Sequence, residues 1–225
     1  IGIISIVMMF GGFTSAYNVS NGGSFLVNIN FPGQFLISTF YVLAGSVALI
    51  LAMGAAKKNN SKQIKIWLTV ALFTGIAFSI SQYFGWKQLM ERGCFFTDTI
   101  MDRDNPDVFF VKGEYGKDFT LSFNNKELVF ENGKLYFETG EELRKEHYDK
   151  LKQYRNTASS YIYLMSFLHL MHLLGGMIYL IVVMIKSFRN TLNRQNYLKI
   201  NLLATYWHFL GLLWIFLYVF LQFIH

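Results

Sequence analysis

The chain has 225 residues, 53% hydrophobic and 18% aromatic, with two prolines, one cysteine and a formal charge of +6. That balance excludes a disordered tail and points to a protein whose solvent is lipid. The positive charge is not a nucleic-acid signature, because it comes from two short loops, and one cysteine cannot form an internal disulfide or a cysteine-rich metal cluster.

The first apolar run, residues 1–17, has neither the basic n-region nor the small-residue cleavage site of a signal peptide. It is expected to be a transmembrane helix truncated at its N-terminal end. Charge-free runs follow at residues 35–56, 66–86, 158–185 and 200–224. Each reaches the roughly 20 residues that cross a hydrocarbon core as helix, which makes five spans.

Spans two and three carry small residues every four positions: Ala44, Ala48 and Ala52 on one, Ala71, Gly75 and Ser79 on the other. Such ridges let helix backbones approach where lipid supplies no hydrophobic drive between helices. Trp67 and Trp86 bracket span three at the depths that indoles prefer.

Lys57, Lys58, Lys62 and Lys65 follow span two, and Lys186, Arg189, Arg194 and Lys199 follow span four, with no acid among them. By the positive-inside tendency the loops 57–65 and 186–199 are cytoplasmic. All 14 carboxylates fall between Glu91 and Asp149, so the segment 93–156 is expected outside.

That outer segment divides the chain into residues 1–92 with spans one to three, 93–156, and 157–225 with spans four and five. Within it, the apolar-rich runs 126–130 and 134–138 flank Glu131-Asn132-Gly133, a hairpin signal. Residues 107–111 and 118–123 read as two further strands. Thr139-Gly140-Glu141-Glu142 fits a capping box, and Leu143, His147, Leu151 and Tyr154 recur at helical spacing beyond it. The expected fold is therefore an all-α transmembrane bundle of five helices with a small β-rich, one-helix extramembrane insertion.

Polar groups inside spans are where function is sought. Span four sets Met165, His169, His172 and Gly176 on one face, with Gly175 beside it. Span five sets Asn201, Thr205, His208 and Gly211 on one face, with Trp207 and Trp214 a heptad apart on a neighbouring strip. Histidines on two helices could ligate a haem, but His208 lies only roughly 9–15 Å from its cytoplasmic end while His172 is near mid-span. An acid-driven transporter is disfavoured because no span holds a carboxylate. Hydrogen-bonding between helices in a structural bundle is a third reading.

A fourth rests on a resemblance. Phe167-Leu-His169-Leu-Met-His172-Leu-Leu-Gly175-Gly176, followed by Tyr206-Trp207-His208-Phe209-Leu-Gly211-Leu-Leu-Trp214-Ile-Phe-Leu217-Tyr218, resembles the end of the haem-copper oxidase subunit III family in its five-helix bacterial form. Residues 3–17 are similar to that form's first helix and Gln82-Tyr-Phe-Gly-Trp86 to the end of its third. The segment 97–156 has no counterpart. Ile6 and Gly211 stand where many members carry Glu and Asp, so a role in proton delivery through those acids does not carry over.

The resemblance implies an accessory subunit of a proton-pumping respiratory terminal oxidase in a bacterial cytoplasmic membrane, without a catalytic centre or metal of its own. Haem and copper would sit in partner subunits I and II, with cytochrome c or a quinol as donor. Phospholipid would occupy a cleft between helices, and His169, His172, Tyr206, Trp207 and His208 would line lipid or helix contacts. Gly175, Gly176 and Gly211 join the alanine ridges as packing positions. Apart from the resemblance, the length of the insertion 97–156 points either to docking of a periplasmic cytochrome or a neighbouring respiratory complex, or to a passive lid over the outer mouth of the bundle.

Overall fold

A computed structural model describes residues 2–21, 25–29, 32–92, 94, 115–116, 119–124, 126–131, 134–137, 139–153, 157–189 and 197–223. The elements in order are α1 (Gly2–Asn21), β1 (Phe25–Ile29), α2 (Gly33–Lys57), α3 (Ser61–Glu91), β2 (Phe119–Phe123), β3 (Lys126–Glu131), β4 (Lys134–Phe137), α4 (Lys145–Gln153), α5 (Thr157–Phe188) and α6 (Tyr197–Phe223). Five of the helices are long and apolar enough to cross a membrane. They coincide with the five expected spans. The chain is a helical, multi-pass membrane protein with a small sheet outside the spans.

Two compact units emerge: one of Ile1–Pro32, Trp86–Met165 and Leu221–His225, the other of Gly33–Gly85 and Ser166–Phe220. Unit boundaries thus cut through α3, α5 and α6 rather than following the three sequence segments.

In the second unit, α2, α3, α5 and α6 pack around one cluster. Its buried members include Ala48, Leu49, Ala52, Leu68, Ala71, Leu180, Leu203, Ala204 and Trp207. Small residues dominate on α2, so backbones approach closely where a larger ridge would hold them apart. The residues that face outward from these helices, among them Phe40, Phe73, Ile178 and Leu212, are exposed and apolar, as lipid-facing positions must be.

The first unit contains the sheet, whose order is β1-β2-β3-β4, antiparallel throughout. β3 and β4 form the expected hairpin, and β2 matches the expected run 118–123. The run 107–111 lies outside the described residues, as does the Asn132-Gly133 turn. β1 was not anticipated: it enters from the α1–α2 connection and pairs Val27 with Leu121, which pairs in turn with Leu128. All three side chains are buried, so the insertion completes its core with a strand from elsewhere.

Tyr115 fastens β2 to β3, its hydroxyl donating to the Leu128 carbonyl at 2.6 Å and accepting from the Leu121 N–H at 3.1 Å. Burial pushes that phenol above its ordinary pKa.

The helix after the sheet starts later than the capping box suggested. Glu142 bridges to Tyr136 of β4 and Gly140 takes φ +82°, so 139–142 is a turn closing on the sheet, and α4 begins at Lys145. Strand pairing outcompetes the local cap. α4 then lays His147 on Phe123, ring centroids 4.8 Å apart, and the Leu135 N–H donates to the Tyr148 hydroxyl.

Candidate functional site

Every residue of the Tyr206-Trp207-His208 triplet sits in α6, and each meets a different environment. Trp207 is 1% exposed. Its indole occupies space that two glycines leave open: a Cβ on Gly45 of α2 would stand 2.9 Å from Nε1, and one on Gly75 of α3 would stand 2.9 Å from Cη2. Tyr206, half-buried, lies against Gly176 of α5 and donates from its hydroxyl to the His172 carbonyl at 3.1 Å. His208 is half-buried.

The two histidines of α5 differ sharply. His172 is half-buried and donates from Nδ1 to the Leu168 carbonyl of its own helix at 2.7 Å. His169 is fully buried. Its ring lies 5.1 Å from Trp214 and 5.7 Å from Phe78, centroid to centroid, which walls it with aromatic carbon on two sides. Neither of its nitrogens has a hydrogen-bond partner among the described residues.

Around that ring runs a polar layer. The Trp214 indole N–H donates to Thr39 Oγ1 at 3.0 Å, and Phe35 stacks on the same indole at 6.1 Å. The Gln82 amide donates to Ser38 Oγ at 2.9 Å, and Ser81 Oγ donates to the Gln34 carbonyl at 3.0 Å. Four helices therefore contribute a hydroxyl, an amide, an indole and an imidazole to one run of contacts.

Packing contacts also set the α5–α6 register. Gly176 opposes Tyr206 and Leu210, and His169 opposes Trp214. His208 is thereby offset from His172 by about one helical turn, roughly 5 Å. The direction is the one expected from the sequence, but the offset is a weaker obstacle to shared ligation than distance from the helix end suggested. Among the described residues, no group of three His, Cys, Asp or Glu could hold a metal ion.

Of the expected packing positions, Ala48, Ala52 and Ala71 are buried, as are Gly75, Gly176 and Gly211, while Ala44 and Ser79 are half-buried. A Cβ on Gly211 would meet Ser46 Oγ at 3.5 Å, an ordinary contact. Gly175 is exposed, and a Cβ there would meet nothing within 4 Å among the described residues, because a one-residue step turns it about 100° from the face that Gly176 presents. Gly45, and Gly85 with a Cβ position 3.0 Å from the Phe35 ring, are close-approach glycines that the sequence did not disclose. Ser38, Thr39 and Gln82 were equally unmarked, since hydroxyls and amides in a span give no spacing signal of their own. Ile6, in α1, is half-buried.

Residues 155–224, from just before α5 to the end of α6, match the family model of cytochrome c oxidase subunit III. This stretch is similar to the subunit III family. The match covers the triplet with both α5 histidines, so in this chain the subunit III sequence pattern falls on residues that lock α5 and α6 to α2 and α3. Comparison with curated proteins gives no match.

Proposed function

We propose that this protein is a non-redox accessory subunit of a proton-pumping respiratory terminal oxidase, set in a bacterial cytoplasmic membrane with loops 57–65 and 186–199 inside and 93–156 in the periplasm. It packs against the catalytic subunit I, alongside subunit II, and retains phospholipid between helices. Haem and copper belong to those partners. The observation that carries the reading is the subunit III match over 155–224, joined to the way its aromatic triplet is used: Trp207 is a packing wedge and Tyr206 a helix-to-helix clamp.

The lack of any carboxylate within the spans supports a supporting role over proton delivery by this chain. His172, Tyr206 and His208, all half-buried, are the positions that combine a polar tip with access to a lipid headgroup or a neighbouring subunit. The sheet and α4 form a structured periplasmic element suited to docking a cytochrome domain or adjacent complex, since long structured loops tend to carry function.

Solubilising membranes in mild detergent and isolating the protein through an affinity tag tests the assignment. Stoichiometric recovery of a haem-copper subunit is the expected outcome, with tightly held phospholipid in the extracted complex. Recovery of the chain alone, under conditions that keep other respiratory complexes whole, overturns it. Deletion of 97–156 that leaves association and turnover unchanged would remove the docking role only.

A further inference from the structure

The polar layer of the four-helix unit contains more hydrogen-bonding capacity than its side chains use. Gln82 is fully buried and spends its amide N–H on Ser38, while its Oε1 has no partner among the described residues. His169, fully buried, has two ring nitrogens in the same condition. Both residues belong to one run of contacts. Phe78, one turn along α3 from Gln82, touches the His169 ring, and Trp214 joins that ring to Thr39, the neighbour of Ser38.

Buried polar atoms in a protein interior are nearly always satisfied, by protein or by ordered water, and hydrocarbon makes an unmet group costlier still. The unmet atoms are complementary through water: one molecule bridges the imidazole N–H to the amide oxygen, and a second can donate to the other ring nitrogen. A neutral imidazole offers one N–H donor and one lone pair, and an amide oxygen offers lone pairs only. A water molecule accepts from the imidazole N–H and donates to the amide oxygen, which meets the requirement of two to four polar partners for an internal water.

We propose that the layer formed by Ser38, Thr39, Gln82, His169 and Trp214 is an internal hydration site, holding ordered water between Gln82 Oε1 and the His169 imidazole. The site makes the bundle core wet at this level, whereas the side chains around Leu68 and Leu180 are apolar except for the Trp207 indole N–H. It depends on no partner subunit. Water here fixes the His169 tautomer and joins α3 to α5 by a hydrogen-bonded bridge.

X-ray radiolytic hydroxyl labelling in oxygen-18 water, with the protein in lipid nanodiscs, tests this directly. Radicals generated from a bound water oxidise the side chains beside it, buried or not. Oxidation of Trp214, Phe78 and His169 well above that of Leu68 and Leu180 is expected, with the isotope entering slowly after mixing and fully after long equilibration. The Gln82→Leu/His169→Phe variant should lose the Trp214 label at least several-fold. If that variant does not fold, Gln82→Met serves in its place. Background labelling at Trp214 and Phe78 in the unaltered protein, or labelling that survives in the folded variant, overturns the proposal.

Discussion

A methyl group on Gly75 would stand 2.9 Å from Cη2 of Trp207. No pair of carbon atoms in a well-packed interior tolerates that distance, so the glycine and the indole are one fitted unit spanning α3 and α6. Gly45, at 2.9 Å from the Nε1 of the same indole, fits it from α2. The backbone of Gly45 also abuts Thr74, whose Oγ1 would lie 2.8 Å from an added Cβ.

Gly75→Ala and Gly45→Ala should therefore each destabilise the protein by about 1–3 kcal/mol, the usual cost of overpacking. The helix propensity of alanine offsets at most about 1 kcal/mol of this. Gly175→Ala meets open space and should leave the melting temperature unchanged or raise it. Thermal unfolding in detergent, read by intrinsic tryptophan fluorescence, compares the three.

Trp207→Phe leaves the two glycine seats partly empty and loses the indole's outer ring. Destabilisation of about 2–4 kcal/mol is expected, in the range of large-to-small core substitutions. Tyr206→Phe keeps the contact with Gly176 and removes only the hydrogen bond to the His172 carbonyl, so its effect should be about 1 kcal/mol. Equal effects of the two substitutions on the unfolding transition would contradict this division of roles.

The five spans and the hairpin were legible because each is written in local pattern: apolar length for a span, an Asn-Gly turn between apolar runs for β3 and β4. Their partners were not. His169 and His172 sit three positions apart and look alike on a helical wheel, yet the first is fully buried against Phe78 and Trp214 and the second half-buried. Only the opposing helices decide which is which. Gly45 and Gly175 are the same lesson reversed, since a glycine's importance lies in what stands opposite it. β1 carries an alternation of Phe25, Val27 and Ile29 that a period-two reading could have found, although the run is short and flanked by polar residues. The capping box at Thr139 failed because the Glu142–Tyr136 bridge holds the chain to the sheet for one more turn.

Cys94, 1% exposed, receives the Tyr163 hydroxyl on its carbonyl at 2.7 Å. Desolvation pushes its thiol up to about 11, against an ordinary 9.0, with Ser159 and Arg92 pulling the other way. At pH below 9 the thiolate population is then about a hundredfold lower than that of an ordinary thiol, and burial adds to the protection. Maleimide labelling should be at least about a hundredfold slower in the folded protein than after denaturation. Because the folded value is the higher one, the thiol's contribution to stability is intact below pH 9 and fades as pH rises from 9 to about 11. Cys94→Ser should flatten that part of the pH–stability curve.

Tyr115→Phe deprives the Leu128 carbonyl and the Leu121 N–H of the hydroxyl between them. A loss of about 1–3 kcal/mol should be confined to the sheet. Hydrogen exchange should show faster opening of β2 and β3 and unchanged protection in α2 and α3.

The measurement closest to the central claim is an optical one on the tagged complex and on the separated polypeptide. Reduced-minus-oxidised difference spectra should show haem bands in the complex, retained in proportion to the catalytic subunit. The separated chain, still helical in detergent, should show none. A chain that keeps a stoichiometric haem signal after separation, or a complex with no haem at all, would contradict the account.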